Sequence, residues 1–134
     1  VNATINITVT ETDEEKQPSK SYTFNADTVT QPEAWTGLNW NFGEGREIVV
    51  TITVTNNDTV RQLDVAWTQP TDMAAQNVTV VSTGEASKTL DNSETGAGST
   101  NVATYTMTFT PANENLAVTN AAWTAKLVLT NHAA

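Results

Sequence analysis

The sequence predicts an all-β domain, an antiparallel β-sandwich of about eight or nine short strands. Apolar and polar residues alternate with a period of two along most of the 134 residues, and no segment keeps a helical period beyond a turn or two. Turn-forming residues separate the alternating segments. Alternation with one apolar face is typical of a sheet covered on one side, and two such sheets packed face to face form a sandwich. Jelly-roll and immunoglobulin-like strand orders both fit this pattern.

The strands follow one another in a regular way along the chain. The first, VNATINITVT, has an apolar residue at every odd position and Asn or Thr at every even one. An acidic, proline-containing turn, TETDEEKQPSK, comes next. The later strands are predicted in SYTFNA, REIVVTITVT, VRQLDVAWTQP, QNVTVVST, EASKTL, VATYTMTFTP and AWTAKLVLT, with ENLAVTN left ambiguous. Their apolar phase predicts a core that includes Ile48, Val50, Ile52, Val54, Leu63, Val65, Trp67, Ala103, Tyr105, Met107, Phe109, Trp123, Ala125, Leu127 and Leu129.

Composition excludes several classes of partner. Six basic and fifteen acidic residues give a net charge of −9, the wrong sign for binding a phosphate backbone or an anionic membrane surface. No segment has the roughly 20 apolar residues of a membrane span. Twenty-six Thr and fourteen Asn supply most of the polarity, as in exposed β-strands. We therefore expect a folded domain that binds no nucleic acid and inserts into no membrane.

The absence of cysteine excludes disulfides, thiol catalysis and cysteine zinc sites. The chain begins at Val1 rather than at Met, which leaves two interpretations open: a trimmed chain, or a mature chain whose leader has been removed. On the second interpretation we expect a secreted, extracellular protein.

The sequence contains no pattern of catalytic residues, so we expect neither an enzyme nor a cofactor. His132, the single histidine, lies near the chain end and is predicted to be a solvated tail residue. There is no nucleophile elbow, phosphate-binding glycine loop or zinc-protease motif. Two acidic segments are weak calcium alternatives: one contains Glu11, Asp13, Glu14 and Glu15, the other Asp91, Asn92, Ser93 and Glu94. We predict no metal site, because the second lacks the glutamate that closes a calcium loop.

Two tryptophans are candidates for surface recognition. Trp35 and Trp40 lie in TQPEAWTGLNWNFGEG, where the strand period breaks and glycines follow. They fit either an aromatic platform for sugars or a cap on one end of the domain. Trp67 and Trp123 share the phase of aliphatic neighbours and are predicted to be core residues.

Four sequons for N-glycosylation are present, at Asn2, Asn6, Asn57 and Asn77. Because the chain is rich in Asn and Thr, chance alone gives a similar number of sequons. Each of these asparagines, however, lies on a polar face or in a turn. All four are therefore candidate glycan carriers on a secreted protein.

These features together resemble a group of extracellular filament subunits. The group comprises archaeal bundling pili and threads and the bacterial biofilm fibre proteins of the TasA type. The shared features are the processed-looking start, the alternating VNATINITVT, the acidic connector, the long EIVVTITVTNND segment and the lack of cysteine. The long apolar N-terminal helix of type IV pilins is absent. The resemblance implies a jelly-roll subunit whose N-terminal strand enters a groove of the next subunit.

Strand donation also suits the physics of the opening segment. An incomplete sandwich exposes an apolar groove and unpaired edge amides, and an extended segment from a neighbour satisfies both. We predict a donor strand at 1–12, a connector at 13–20 and a β-sandwich domain at 21–134, polymerising head to tail into a homopolymer. The predicted donor side chains are those of Val1, Ala3, Ile5, Ile7 and Val9. A strand that completes its own domain would show the same alternation.

Two alternatives belong to other functional classes. A carbohydrate-binding or adhesive module would use Trp35 and Trp40. A viral capsid, tail or decoration domain would also be acidic, free of cysteine and rich in β-strands.

Overall fold

The fold is that of a computed structural model, which describes residues 1–11, 20–26, 31–34, 40–42, 47–70, 73–95, 100–113, 118–121 and 125–133. The strands are β1 (Ala3–Glu11), β2 (Lys20–Ala26), β3 (Gln31–Ala34), β4 (Trp40–Phe42), β5 (Ile48–Asn56), β6 (Leu63–Thr68), β7 (Val78–Thr83), β8 (Ser87–Leu90), β9 (Val102–Pro111), β10 (Val118–Ala121) and β11 (Lys126–Asn131). The only helix within these ranges is a short 3-10 turn, Ala74–Gln76.

Every strand pairing in the described part of the chain is antiparallel, as the sequence predicts. One sheet has the order β2-β1-β5-β9-β7, a second has the order β3-β11-β6-β8, and β10 pairs with β4. In β2, β3, β4 and β10 the structure is described at the level of the backbone. The seven other strands have described side chains, and all of them belong to the two larger sheets. The predicted count of eight or nine strands is therefore too high when only these seven are counted.

Apolar side chains from both larger sheets form one hydrophobic cluster. Alternation within β5 is complete, since its even-numbered residues from Ile48 to Asn56 are buried and the intervening ones are half-buried. The cluster contains most of the predicted core residues: Ile48, Val50, Ile52, Val54, Leu63, Val65, Trp67, Ala103, Tyr105, Met107, Phe109, Ala125, Leu127 and Leu129. Those predictions are confirmed, while Trp123 lies outside the described residues. The period-two pattern identifies the buried face because successive strand side chains point to opposite sides.

An aromatic pair joins the two sheets inside this cluster. The rings of Trp67 in β6 and Tyr105 in β9 stack with their centroids 4.9 Å apart. Gly84, with φ of +131°, lies against the Tyr105 ring, where a Cβ would come within 2.4 Å of Cδ1. The Tyr105 hydroxyl is buried without a hydrogen-bond partner in the described part of the molecule. Burial, with a smaller contribution from the Glu85 carboxylate, raises the pKa of Tyr105 to about 12.

Candidate functional site: the N-terminal strand and its groove

The first strand lies inside a sheet rather than at its border. β1 pairs with β2 on one side and with β5 on the other. Its pairing with β5 runs from Ala3 opposite Asn56 to Glu11 opposite Ile48, and its pairing with β2 runs from Ala3 to Val9. Both rows of backbone groups on β1 are therefore engaged along most of the strand. We call the slot between β2 and β5 that holds β1 the donor groove.

The apolar face of β1 fills the floor of the donor groove. Ile5 and Ile7 are fully buried, and Ala3 is 2% exposed. Across the β5 interface, Ile5 lies opposite Val54 and Ile7 opposite Ile52, and both partners are fully buried. Burying each isoleucine contributes about 1.5–3 kcal/mol, so β1 contributes substantially to the core.

The two outer members of the predicted donor set differ from the inner three. Val1 precedes the strand and packs, partly buried, against the core. The backbone of Val9 pairs with Lys20 and Val50, while its side chain lies outside the described residues. The predicted connector, 13–20, also lies outside them except for Lys20, which begins β2.

Hydrogen bonds tie the start of the chain to the end of β5. The backbone N–H of Asn57 donates to the carbonyl oxygen of Asn2 at 2.8 Å. The side-chain Nδ2 of Asn57 donates to Oγ1 of Thr4 at 2.7 Å. Thr4 is the threonine of the Asn2 sequon, so two sequons meet at this junction. The junction thus connects the start of β1 to the residue that follows β5.

Asn56 anchors the same junction from inside, and sequence reasoning missed it. Although it begins an apparent turn, Asn-Asn-Asp-Thr, it is 1% exposed. Its Nδ2 donates to the carbonyl oxygens of Arg61 at 2.9 Å and Asp91 at 3.0 Å, and its Oδ1 accepts from the Asp58 N–H at 3.1 Å. A buried amide with its donors and acceptor all bonded is stable in a core. The missed signal was its position, which continues the even-numbered buried phase of β5.

The turn after Asn56 is stabilised by an aspartate. Oδ1 of Asp58 accepts from the backbone N–H groups of Val60 at 2.8 Å and Arg61 at 2.9 Å. These two hydrogen bonds hold the pKa of the Asp58 carboxyl below its usual value. The resulting Asx turn carries the chain from the five-stranded sheet to β6 in the other sheet.

The four sequon asparagines, Asn2, Asn6, Asn57 and Asn77, are all exposed. They differ in their surroundings: Asn57 binds Thr4, Asn6 lies in the middle of β1, and Asn77 ends the 3-10 turn with φ of +58°.

The side chains of the two surface aromatic candidates lie outside the described part of the structure. Trp35 lies outside the described residues, and the Trp40 backbone pairs with Ala121 in the β4–β10 ladder.

His132 is exposed, as the sequence predicts for a solvated tail residue, and it also forms hydrogen bonds. Its Nδ1 lies 2.9 Å from Oδ1 of Asp64, and its backbone N–H donates to the carbonyl oxygen of Gln62 at 3.0 Å. A hydrogen bond from Thr89 Oγ1, followed by the one with His132, lowers the pKa of the Asp64 carboxyl. Sequence reasoning missed these hydrogen bonds because they depend on β11, which pairs with β6 as far as Asn131, directly before His132. Both side chains remain partly exposed, so this pair contributes little to stability.

The second calcium alternative is organised as a turn. Oδ1 of Asn92 accepts from the backbone N–H groups of Glu94 and Thr95 and from the Thr95 hydroxyl. Within the described ranges, no three acidic or histidine side chains gather as a metal site would require. The first alternative, Glu11 to Glu15, lies outside the residues with described side chains. Nor does any helix in the described part of the chain have the length and hydropathy needed to cross a bilayer.

We compared the chain with protein-family models, with curated protein sequences and with solved structures, and none of the three comparisons found a match. Functional inference therefore rests on the residues and contacts of this chain.

Proposed function

We propose that the protein is a structural subunit of an extracellular filament, built as a β-sandwich of jelly-roll or immunoglobulin-like topology. Each subunit polymerises by placing its β1 in the donor groove of the next copy. The supporting observation is that β1 pairs on both sides while Ile5 and Ile7 are fully buried. Withdrawing β1 would leave two unpaired strand edges and an apolar floor, and only a strand of the same pattern would satisfy both.

Chain order supports exchange of β1 between copies. β1 is the first strand, and the connector joins it to β2. Residues 12–19 span at most about 28 Å when fully extended, and this length limits how far β1 can lie from its own β2 in an assembly. The contacts in the donor groove are the same whether β1 comes from its own domain or from another copy. Exchange in one direction is head to tail and gives an open filament, whereas mutual exchange gives a closed dimer.

An introduced disulfide tests which copy supplies β1. Asn6 of β1 and Thr53 of β5 are register partners on the polar face, and an antiparallel pair brings Cα atoms within disulfide range. Because the chain has no native cysteine, Asn6→Cys/Thr53→Cys leaves one possible pair. Donation predicts a ladder of covalent oligomers on a non-reducing denaturing gel. Self-complementation predicts a covalent monomer, and mutual exchange predicts a dimer; either result contradicts the filament.

A matched control uses the opposite side of β5. Thr53 also lies opposite Thr104 of β9, and both strands belong to the body of the domain. Thr53→Cys/Thr104→Cys is therefore expected to give only a monomer disulfide. Electron microscopy after deletion of residues 1–12 provides an independent check, because filaments that persist without β1 exclude strand donation.

A further inference from the structure

We propose that Asn77 carries an N-linked glycan whose first sugars lie in a groove beside β7 and block lateral pairing of that strand. This inference rests on the extracellular location in the proposed function. It concerns the edge of the five-stranded sheet, far in sheet order from β1, and not the donor groove.

β7 is an edge strand with little protection. Within the described residues it pairs with β9 on one side, and on the other side only Met73 forms a bridge, to Val78. The segment VTVVST contains no charge and no proline, and Val81 is 60% exposed. Natural proteins usually protect such an edge with charges, prolines, bulges or a covering element. An uncharged β-branched edge is also where two copies, each with net charge −9, would approach with least repulsion.

A groove runs beside the start of this edge. It has a volume of about 520 Å³ and is lined by Pro70, Ala74, Asn77, Val78, Thr79, Val80 and Ala112. All seven residues are uncharged and most are apolar. A ring carrying an acetamido group suits such a surface, because its carbon–hydrogen face and methyl group bury apolar area while its hydroxyls stay in water.

The backbone fixes Asn77 at the margin of the β7 groove. Its N–H donates to the carbonyl oxygen of Ala74 at 3.0 Å, and its own carbonyl oxygen accepts from the Ala112 N–H at 2.8 Å. The left-handed φ of +58° suits asparagine better than most residues. Its side-chain amide has no hydrogen-bond partner among the described residues, unlike that of Asn57, and Thr79 of the sequon is also exposed. Asn77 is thus both available for modification and positioned to place a sugar in the groove.

The modification requires a lipid-linked glycosyl phosphate donor. The Asn77 Nδ2 forms a bond to the anomeric carbon of the sugar, and the bond from that carbon to the phosphate oxygen breaks. The lipid phosphate leaves with the bonding electrons, and the amide loses one proton to a base of the transferase. The resulting sugar chain begins at Asn77, directly before the first residue of β7, whose length is about 20 Å, so a few sugars obstruct a strand that would pair there.

Tryptic peptides of the native protein separate the sequons. Cleavage after Arg61 and Lys88 gives a peptide of residues 62–88, in which Asn77 is the only sequon; Asn57 falls in 47–61, and Asn2 and Asn6 in 1–16. We expect 62–88 to carry an added mass that contains an N-acetylated amino sugar. An unmodified 62–88 peptide from native material overturns the proposal, whatever the other peptides carry.

The shielding role is tested by removing the sequon without changing Asn77. Thr79→Ala, produced in the native host, is expected to lose the mass on 62–88 and to show an increased sedimentation coefficient from lateral association. Thr59→Ala, the matched control, removes the Asn57 sequon and is expected to sediment like the parent. Adding Val81→Lys to Thr79→Ala is expected to reverse the association. A Thr79→Ala protein that sediments like the parent refutes shielding, and the Asn6/Thr53 disulfide test reports on β1 independently.

Discussion

β1 and β7 have similar compositions but different positions in the same sheet, since β1 is an inner strand and β7 is an edge strand. Both are rich in threonine and β-branched apolar residues, but β1 has a strand on each side and β7 has β9 on one side. The inward-facing Ile5 and Ile7 of β1 are fully buried, and the inward-facing Val78 of β7 is also buried at 3% exposure, while Val81 on the opposite face of β7 is 60% exposed. Strand composition alone therefore does not show whether a segment completes a core or forms an open edge. In our proposals, β1 is the strand that assembles and β7 is the strand that is kept from assembling.

Truncating one buried side chain of β1 and one exposed side chain of β7 has the largest expected difference in effect. Ile5→Ala leaves a cavity in the core and should cost about 2–5 kcal/mol in the free energy of unfolding. Val81→Ala removes an exposed side chain and should change that free energy by less than about 0.5 kcal/mol. Urea denaturation measures both. Equal effects of the two substitutions would contradict the burial of Ile5 in the core.

A glycine substitution tests how firmly the end of β7 is held to the core. Gly84 follows β7 with φ of +131°, and a Cβ there would come within 2.4 Å of Tyr105 Cδ1. We expect Gly84→Ala to cost about 1–3 kcal/mol from backbone strain, with the contact to Tyr105 added. Thermal unfolding measures the loss. In a Tyr105→Ala background the penalty should shrink, and an unchanged penalty would exclude the ring contact as a cause.

Replacing Asn56 tests the contribution of the buried amide at the end of β5, next to the start of β1. Asn56→Ala leaves the carbonyl oxygens of Arg61 and Asp91 without their donor, and we expect a loss of about 1–3 kcal/mol. Asn57→Ala, at the exposed neighbouring position, is the matched control and should cost less. Urea denaturation of both proteins distinguishes them. A larger loss in Asn57→Ala would mean that the bond to Thr4 matters more than the buried amide.

The hydroxyl of Tyr105 has the smallest expected effect on the free energy of unfolding at neutral pH, and it has a specific effect on that free energy at alkaline pH. Its pKa is raised to about 12, while a tyrosine in the unfolded chain titrates near 10, at about its ordinary value. The unfolded chain therefore loses its proton first, so stability is complete below about pH 10 and falls as the pH rises through about 12.

Two phenylalanine variants check this alkaline dependence. Tyr105→Phe should flatten it and, by removing an unpartnered buried hydroxyl, should raise stability at neutral pH by about 1 kcal/mol. Tyr22→Phe, at the only other tyrosine, is the control and should retain the dependence on Tyr105. Urea midpoints measured across the alkaline range decide the matter. A Tyr105→Phe protein that loses stability in alkali like the parent would contradict the assignment.

The alternation of side chains was sufficient to predict the antiparallel β class and the buried face of each main strand. Ile52 of β5, Leu127 of β11 and Tyr105 of β9 are buried as their phase requires. This information is local, because adjacent side chains on a strand point to opposite faces whatever the strand pairs with. The same local rule predicted exposed positions for Asn2, Asn6 and Asn77, while the exposure of Asn57 was predicted from its place in a turn.

The neighbours of each strand depended on the tertiary structure. Nothing in VNATINITVT distinguishes a central strand from an edge strand, and nothing in VTVVST indicates that β7 lies at the border of its sheet. The burial of Asn56 depends on carbonyl oxygens of Arg61 and Asp91, and His132 is held because β11 lies beside β6. Sequence therefore determined which face of a strand is apolar, since that is set by backbone geometry. Tertiary structure decided which partner covers that face and which edge stays open, because those contacts join residues that are distant in the chain.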